Sequence, residues 1–277
     1  MSHPAARRSL KRKSMETFLK EPWRGGAAAV GFWNAVGNSL VVEAIASTKP
    51  DYVVVDMQHG EAHDGNLVEM LQAVVAGGSV PLVRVPANNS ASIMRALDSG
   101  ARGVVVPLVD NAEEARRAVD ACLFPPYGSR SMGPFRASIS AGTSDPRELE
   151  KVACIVMIET RSGIENMEAI IGTHGVTAVY IGPADMSLAL GLPPGSIHAP
   201  EFEAVSQKLL ATCNGHGVIA GFHCHDGGTA RWAIEQGFRM VTVGVDLNLL
   251  RTAVAHELNR VRPILTRADV TFGETPA

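Results

Sequence analysis

Five ionisable side chains stand where short apolar runs end, and their types suit metal and acid–base chemistry. They are Asp56, His59, Arg84, Glu159 and Asp185. Two carboxylates bind a divalent ion while leaving positions open for water, and Mg²⁺ or Mn²⁺ fit such oxygen ligands best, with Co²⁺ and Zn²⁺ as alternatives. An ion of this kind chelates a 2-oxo acid and stabilises its enolate. The sequence therefore predicts a metal-assisted enolate site, with Glu159 and Asp185 as ligands.

The other three side chains suit steps around that enolate. Arg84 would hold a developing oxyanion or a substrate carboxylate. His59, oriented by Asp56, would transfer a proton near neutral pH. A lysine imine is disfavoured, because none of the six lysines of the chain lies at the end of an apolar run.

The segment that surrounds Asp185 offers backbone donors to a carboxylate. In "IGPAD", Gly182, Pro183 and Ala184 precede the aspartate at the expected start of a helix. Proline has no N–H group, so Ala184 and Asp185 are the expected donors.

A second polar cluster, "HCHD" at 223–226, follows the seventh apolar run. Two histidines two residues apart share one face of an extended strand. A zinc site with Cys224 or Asp226 is one interpretation. A polar lining of the pocket mouth is the favoured one, with His223 in contact with the aldehyde part of a substrate.

The elements that position these residues repeat along the chain. Eight apolar, β-branched runs occur at 28–33, 52–56, 81–85, 103–107, 154–159, 178–182, 218–223 and 240–245, and helical patterns at 66–77, 90–100 and 111–123 separate some of them. Continuous apolar runs are typical of parallel strands buried on both faces. The pattern predicts a single α/β TIM barrel, whose chemistry lies at the carboxyl ends of the strands. An open doubly wound sheet is the alternative, but its glycine-rich phosphate fingerprint is missing.

Composition sets the domain limits and excludes several classes. We expect a basic tail or lead-in helix over 1–24, a barrel over 25–265 and a polar tail over 266–277. Proline- and glycine-rich stretches near 124–146 and 191–202 predict long loops. The net charge of −3 and the absence of a long apolar run predict no nucleic-acid or membrane partner. Four cysteines without metal-type spacing predict reduced thiols and a cytoplasmic protein.

The motifs resemble those of the HpcH/HpaI aldolase family over about residues 28–255. The most specific matches are "FPPYGSRSMG" and "GPADMSLALG", together with "YVVVDMQHG" and "VMIET" in this order. The resemblance implies a class II, metal-dependent pyruvate aldolase on a TIM barrel. It also implies a homo-oligomer, a trimer of dimers, in which the last helix, about 247–262, packs on a neighbouring barrel.

The resemblance assigns the same roles residue by residue. Glu159 and Asp185 match the metal ligands, His59 the acid–base residue and Asp56 its partner. Arg84 matches the arginine on the enolate. The segment 182–185 matches the part that binds the pyruvate carboxylate, and Trp33 matches an aromatic side chain beside the site.

Two positions depart from the family pattern. Gln58 stands where many members have Glu, and Met157 where many have Gln. We expect a changed pH optimum or substrate. The implied reaction is reversible cleavage of a 4-hydroxy-2-oxo acid to pyruvate and an aldehyde. An oxaloacetate decarboxylase or related lyase on the same site is an alternative, and an inactive binding barrel is another.

Overall fold

Eight short parallel strands close into a barrel in the computed structural model, which describes residues 27–265. The strands are β1 (Ala29–Asn34), β2 (Tyr52–Asp56), β3 (Val80–Arg84), β4 (Gly103–Val106), β5 (Ala153–Met157), β6 (Ala178–Ile181), β7 (Ile219–Phe222) and β8 (Met240–Val245). Each strand pairs in parallel with the next, and β1 pairs with β8, so the sheet has no free edge. The TIM-barrel prediction is confirmed.

Helices follow the strands on the outside of the barrel. In the described residues they are α1 (Ser39–Ser47), α2 (Leu67–Gly77), α3 (Ser90–Asp98), α4 (Ala112–Cys122), α5 (Phe135–Ala141), α6 (Pro146–Leu149), α7 (Arg161–Glu165), α8 (Met167–Ile171), α9 (Pro183–Ala189), α10 (Pro200–His216), α11 (Gly227–Gln236) and α12 (Asp246–Leu265). Asn38, Asn89 and Asn111 cap three of them, because their side chains accept backbone N–H groups of the first turn. These caps fix the residue at which each strand-to-helix connection ends and the helix begins.

Two tyrosines fill the inside of the barrel opposite glycines of adjacent strands. A Cβ atom added to Gly31 would lie 2.3 Å from the ring of Tyr52, and one added to Gly221 would lie 2.3 Å from the ring of Tyr180. The Tyr52 hydroxyl donates to the carbonyl of Val241 at 2.7 Å. Because both phenol rings are buried, the interior is a packed core and the chemistry is confined to its mouth.

The segment between α4 and β5 differs from its prediction as a long loop, because it contains the short helices α5 and α6. Arg130 anchors it from a site that is 1% exposed. Its guanidinium donates to Asp98 at 2.9 Å and to the carbonyl of Leu149 at 3.2 Å, and it lies 4.7 Å from the ring centre of Phe124. The arginine of the "FPPYGSRSMG" motif is therefore a structural anchor.

The last helix, α12, leaves the barrel surface. Its side chains from 247 to 261 are exposed, and the large apolar ones among them are Leu247, Leu249, Leu250, Val254, Leu258 and Val261. On the outer face of β1 and β8, a groove of about 320 Å³ is lined by Val30, Val243 and residues of α11. In the described part of the chain, no helix has the length and apolar character to cross a membrane. The two expected tails, 1–24 and 266–277, lie outside the described residues.

Candidate active site

The predicted site residues come together at the mouth formed by the carboxyl ends of the strands. Asp56 and Arg84 are the last residues of β2 and β3 and are paired in the sheet register. Glu159 follows β5 by two residues, and Asp185 lies in the first turn of α9, which follows β6. Because neighbouring parallel strands end at the same rim, residues far apart in sequence face one opening.

Asp56 is the centre of a buried hydrogen-bond network. Its Oδ1 accepts from Nε of Arg84 at 2.8 Å, and its Oδ2 accepts from Nη2 of Arg84 and from Nε1 of Trp33, the latter at 3.1 Å. The guanidinium carbon of Arg84 also lies 4.9 Å from the centre of the Trp33 ring. Although burial opposes it, Arg84 holds the pKa of Asp56 below its usual value. The network fixes the guanidinium in one orientation at the mouth.

His59 has a different relation to Asp56 from the one expected. Oδ1 of Asp56 accepts the backbone N–H groups of Gln58 at 2.9 Å and of His59 at 3.3 Å. No hydrogen bond joins the Asp56 carboxylate to the imidazole within the described residues, and the His59 side chain is exposed. The expectation that Asp56 orients the ring is therefore wrong for this structure. The Asp56 carboxylate instead accepts hydrogen bonds from the side chains of Arg84 and Trp33 and from the backbone of the loop.

Glu159 is a buried carboxylate with one oxygen bound and one free. Its Oε1 accepts the backbone N–H of Leu108 at 3.0 Å, and its Oε2 is buried without a partner among the described residues. Burial, with a smaller contribution from the nearby charge of Asp185, raises the pKa of Glu159 to about 7, although the N–H of Leu108 and the charge of Arg84 oppose this shift. Among residues 27–265, no lysine or arginine side chain forms an ion pair with this carboxylate.

Gly182 gives the free oxygen of Glu159 its space. A Cβ atom at this position would lie 2.4 Å from Oε2 of Glu159 and 3.1 Å from Cε of Met157. Asp185, three residues along the chain, is exposed at the mouth. The carboxylates of Glu159 and Asp185 carry like charges, and Oε2 of Glu159 has no partner among the described residues. Such a pair suits a divalent cation that prefers oxygen ligands. No cluster of three His, Cys, Asp or Glu ligands occurs within residues 27–265, so water or substrate would supply the other ligands.

The two histidine rings of the polar cluster after β7 make aromatic contacts, and its side chains form no set of zinc ligands among the described residues. The ring of His223 lies 4.7 Å from that of Trp33 and 5.1 Å from that of His225, both edge to face. The side chain of Asp226 caps α11 by accepting the N–H of Thr229 at 2.7 Å. Cys224 is buried and its backbone is bound to Thr242. The zinc interpretation finds no ligand cluster in the part of the chain that the structure describes.

The sequence did not indicate one residue of the site, Leu108, and did not indicate one role of another, Gly182. Leu108 has a φ of 54°, a left-handed backbone that a leucine rarely adopts, and its N–H points at Glu159. Gly182 was expected to bind substrate through its backbone, and its lack of a side chain also matters because it leaves room for Glu159. The contact from the Leu108 N–H cannot be predicted from residue type, because every residue except proline carries a backbone N–H.

A family model described as HpcH/HpaI aldolase/citrate lyase matches residues 29–253 of this chain. A hydroxypyruvate/pyruvate aldolase of Rhizorhabdus wittichii is 35% identical over 245 residues, which cover 87% of this chain and 97% of the relative. A 2-keto-3-deoxy-L-rhamnonate aldolase of Salmonella gallinarum is 32% identical over 87% of this chain and 91% of the relative. The sequence similarity therefore spans the whole barrel.

A solved structure agrees with these relatives. A HpcH/HpaI aldolase/citrate lyase family protein from Burkholderia cenocepacia superposes with a TM-score of 0.82 at 32% identity, covering 88% of this chain and 98% of that one. On this evidence the chain belongs to the HpcH/HpaI aldolase/citrate lyase family, whose aldolase-named members identify it as a carbon–carbon lyase.

Proposed function

We propose that the protein catalyses the reversible cleavage of a 4-hydroxy-2-oxo acid to pyruvate and an aldehyde, with a divalent cation held by Glu159 and Asp185. One observation carries the proposal: a buried carboxylate oxygen of Glu159 has no partner among the described residues, within the electrostatic influence of Asp185 and Arg84 at the same mouth. The names of the relatives, hydroxypyruvate/pyruvate aldolase and 2-keto-3-deoxy-L-rhamnonate aldolase, support the same reaction class.

The two carboxylates would hold Mg²⁺ or Mn²⁺, which binds oxygen ligands and keeps open positions. When bound, the cation supplies Lewis acidity to the 2-oxo group and favours negative charge on its oxygen. Gly182 keeps the space beside Oε2 of Glu159 free for this purpose. The ionised form of Glu159, which burial disfavours in the free protein, is the form that binds a cation.

Arg84 would bind the oxygen on which negative charge develops while the C3–C4 bond breaks. Its Nε and Nη2 are held by Asp56, so the remaining nitrogen, Nη1, is available and has no partner within residues 27–265. A donor that is fixed before the reaction costs little reorganisation when charge appears. The backbone N–H groups of Ala184 and Asp185, in the first turn of α9, would bind the carboxylate of the pyruvate part.

His59 would take the proton from the C4 hydroxyl of the substrate and return a proton in the synthetic direction. Its exposed side chain, on a loop whose backbone is fixed by Asp56, can approach a substrate that enters the mouth. Trp33 and His223 lie beside this entrance and would contact the aldehyde part.

Removal of a ligand tests the proposal. We expect Glu159→Ala and Asp185→Ala to lower pyruvate-forming turnover with Mn²⁺ by at least 100-fold. Glu165→Ala, an exposed glutamate of α7, is the matched control and keeps its turnover. Turnover that survives excess chelator, or an Asp185→Ala variant with unchanged activity, would contradict the role of the cation.

A second candidate, decarboxylation of oxaloacetate, uses the same enolate without a hydroxyl proton. The His59 ring is exposed and accepts no orientation from Asp56, and decarboxylation does not require this ring as a base. We expect His59→Ala to lose aldol cleavage while it retains oxaloacetate decarboxylation. Equal losses of the two reactions would assign His59 a role in forming the enolate itself.

The assembly proposed is a homo-oligomer, with a trimer of dimers as its full form. The exposed apolar side of α12 and the open groove on β1, β8 and α11 are complementary in character, and a second copy supplies both. The cytoplasm is the proposed compartment, because the four cysteines are free and buried.

A further inference from the structure

His223 occupies the wall of the mouth between β1 and β6. Its backbone N–H donates to the carbonyl of Ile181 at 3.1 Å, which places it beside Gly182 at the end of the neighbouring strand. Its ring lies against Trp33, whose indole N–H binds the same carboxylate that holds Arg84. The imidazole is therefore next to the reacting region, on the side of Trp33.

The two ring nitrogens of His223 have different surroundings. Nδ1 is buried and has no hydrogen-bond partner, while Nε2 is accessible and forms no hydrogen bond within residues 27–265. Burial, with smaller contributions from the nearby His225 and Arg84, lowers the pKa of His223 to about 3, so the ring is neutral at neutral pH. Orphaned buried N–H groups are rarer than orphaned acceptors. We therefore place the single ring proton on Nε2, which makes this nitrogen a donor to the mouth.

The charges around this donor disfavour an anionic ligand. Asp226 lies three residues along the chain, and its pKa is lowered mainly by the N–H group of Thr229. No Lys or Arg occurs between 219 and 230, and Arg84 is paired with Asp56. Because the free Nη1 of Arg84 is assigned to the enolate oxygen, a second carboxylate bound here would lose water without gaining a cation of its own, whereas a neutral hydroxyl oxygen would gain a hydrogen bond.

We propose that Nε2–H of His223 donates a hydrogen bond to a neutral hydroxyl of the aldehyde, so that this enzyme selects hydroxyaldehydes over alkyl and carboxylated aldehydes. The inference rests on the proposed function and names the second substrate by its chemistry. His223 is a specificity-determining residue in this account, and it takes no part in forming the enolate.

The test compares three aldehydes in synthesis with pyruvate and Mn²⁺. Glycolaldehyde carries the hydroxyl, propanal replaces it by a methyl group, and glyoxylate carries a carboxylate. We expect kcat/KM for glycolaldehyde to exceed that for propanal by about 5- to 10-fold, the worth of one neutral hydrogen bond. In His223→Leu this ratio should fall to about one.

Two amide variants separate the nitrogens. The terminal nitrogen of glutamine is as many bonds from Cβ as Nε2 of histidine, whereas that of asparagine corresponds to Nδ1. We expect His223→Gln to restore the preference for glycolaldehyde and His223→Asn to lack it. His225→Leu, at the exposed neighbouring histidine, is the matched control and keeps the wild-type ratio.

Three results would overturn the inference: a ratio in His223→Leu equal to that of the wild type, a preference of the wild type for glyoxylate, or rescue by Asn and not by Gln. Failure of the proposed function is recognised separately. In that case the wild type with Mn²⁺ neither exchanges the methyl protons of pyruvate with deuterium oxide nor forms a product with any aldehyde.

Discussion

Replacement of Asp56 by alanine should destabilise the protein, because it leaves the positive charge of Arg84 buried without its partner. The Asp56 carboxylate accepts hydrogen bonds from side chains of Arg84 and Trp33 and from the backbone of Gln58 and His59. The Asp56 and Arg84 side chains are only 3% and 11% exposed. Removing one partner of a buried ion pair costs about 3–5 kcal/mol. We expect Asp56→Ala to lower the free energy of unfolding by that amount.

Urea denaturation at fixed protein concentration measures this loss, and a double-mutant cycle identifies its cause. Because Arg84→Met removes the uncompensated cation, Asp56→Ala combined with Arg84→Met should be more stable than Asp56→Ala alone. A loss below about 1 kcal/mol in Asp56→Ala, or additive losses in the double variant, would refute the reasoning.

The same pair gives a pH dependence with a definite sign. The folded pKa of Asp56 lies below the usual 3.8, so its ionised form stabilises the fold above about pH 4, and this contribution is lost as the pH falls through the folded value. The stability difference between wild type and Asp56→Asn should therefore be constant from pH 8 to about pH 4 and shrink below it. A difference that shrinks near neutral pH would point to another group.

Three further predictions concern the metal site and the assembly. Without metal, the raised pKa of Glu159, about 7, predicts that stability falls as the pH rises from about 4.5 to 7, by about 3 kcal/mol; Glu159→Gln should remove this slope in urea denaturation. Gly182→Ala should weaken Mn²⁺ binding by calorimetry at least tenfold, because its Cβ would meet Oε2 of Glu159, while Gly215→Ala, whose Cβ meets open space, should not. Leu250→Asp with Leu258→Asp, on the exposed side of α12, should lower the mass measured by light scattering, and an unchanged mass would exclude α12 from the interface.

The strands were predictable because burial on both faces of the sheet demands apolar, β-branched runs. The runs at 52–56 and 240–245 coincide with β2 and β8, and the others agree within one or two residues. The run at 154–159 was too long, because β5 ends at Met157. Glu159 consequently lies in the connection after the strand, where the N–H of Leu108 reaches it.

The partners of the site residues were less predictable than their positions. The spacing of Asp56 and His59 predicts that they are close, and Asp56 ends β2 while His59 lies in the loop that follows. Spacing does not determine which donors a carboxylate accepts, and here Arg84 from the adjacent strand occupies it. The proline and glycine content of the segment after α4 predicts a loop, yet "FRASISA" forms α5 between those residues.

The glycine–tyrosine pairs inside the barrel have a consequence for how this sequence can vary. Enlarging Gly31 without shortening Tyr52 produces a steric overlap, and shortening the tyrosine alone leaves a void. Each single replacement is therefore penalised, whereas a simultaneous exchange conserves the filled volume. The two positions should covary among natural homologues, as should Gly221 with Tyr180. Substitutions in the centre of the barrel are therefore expected to occur in pairs.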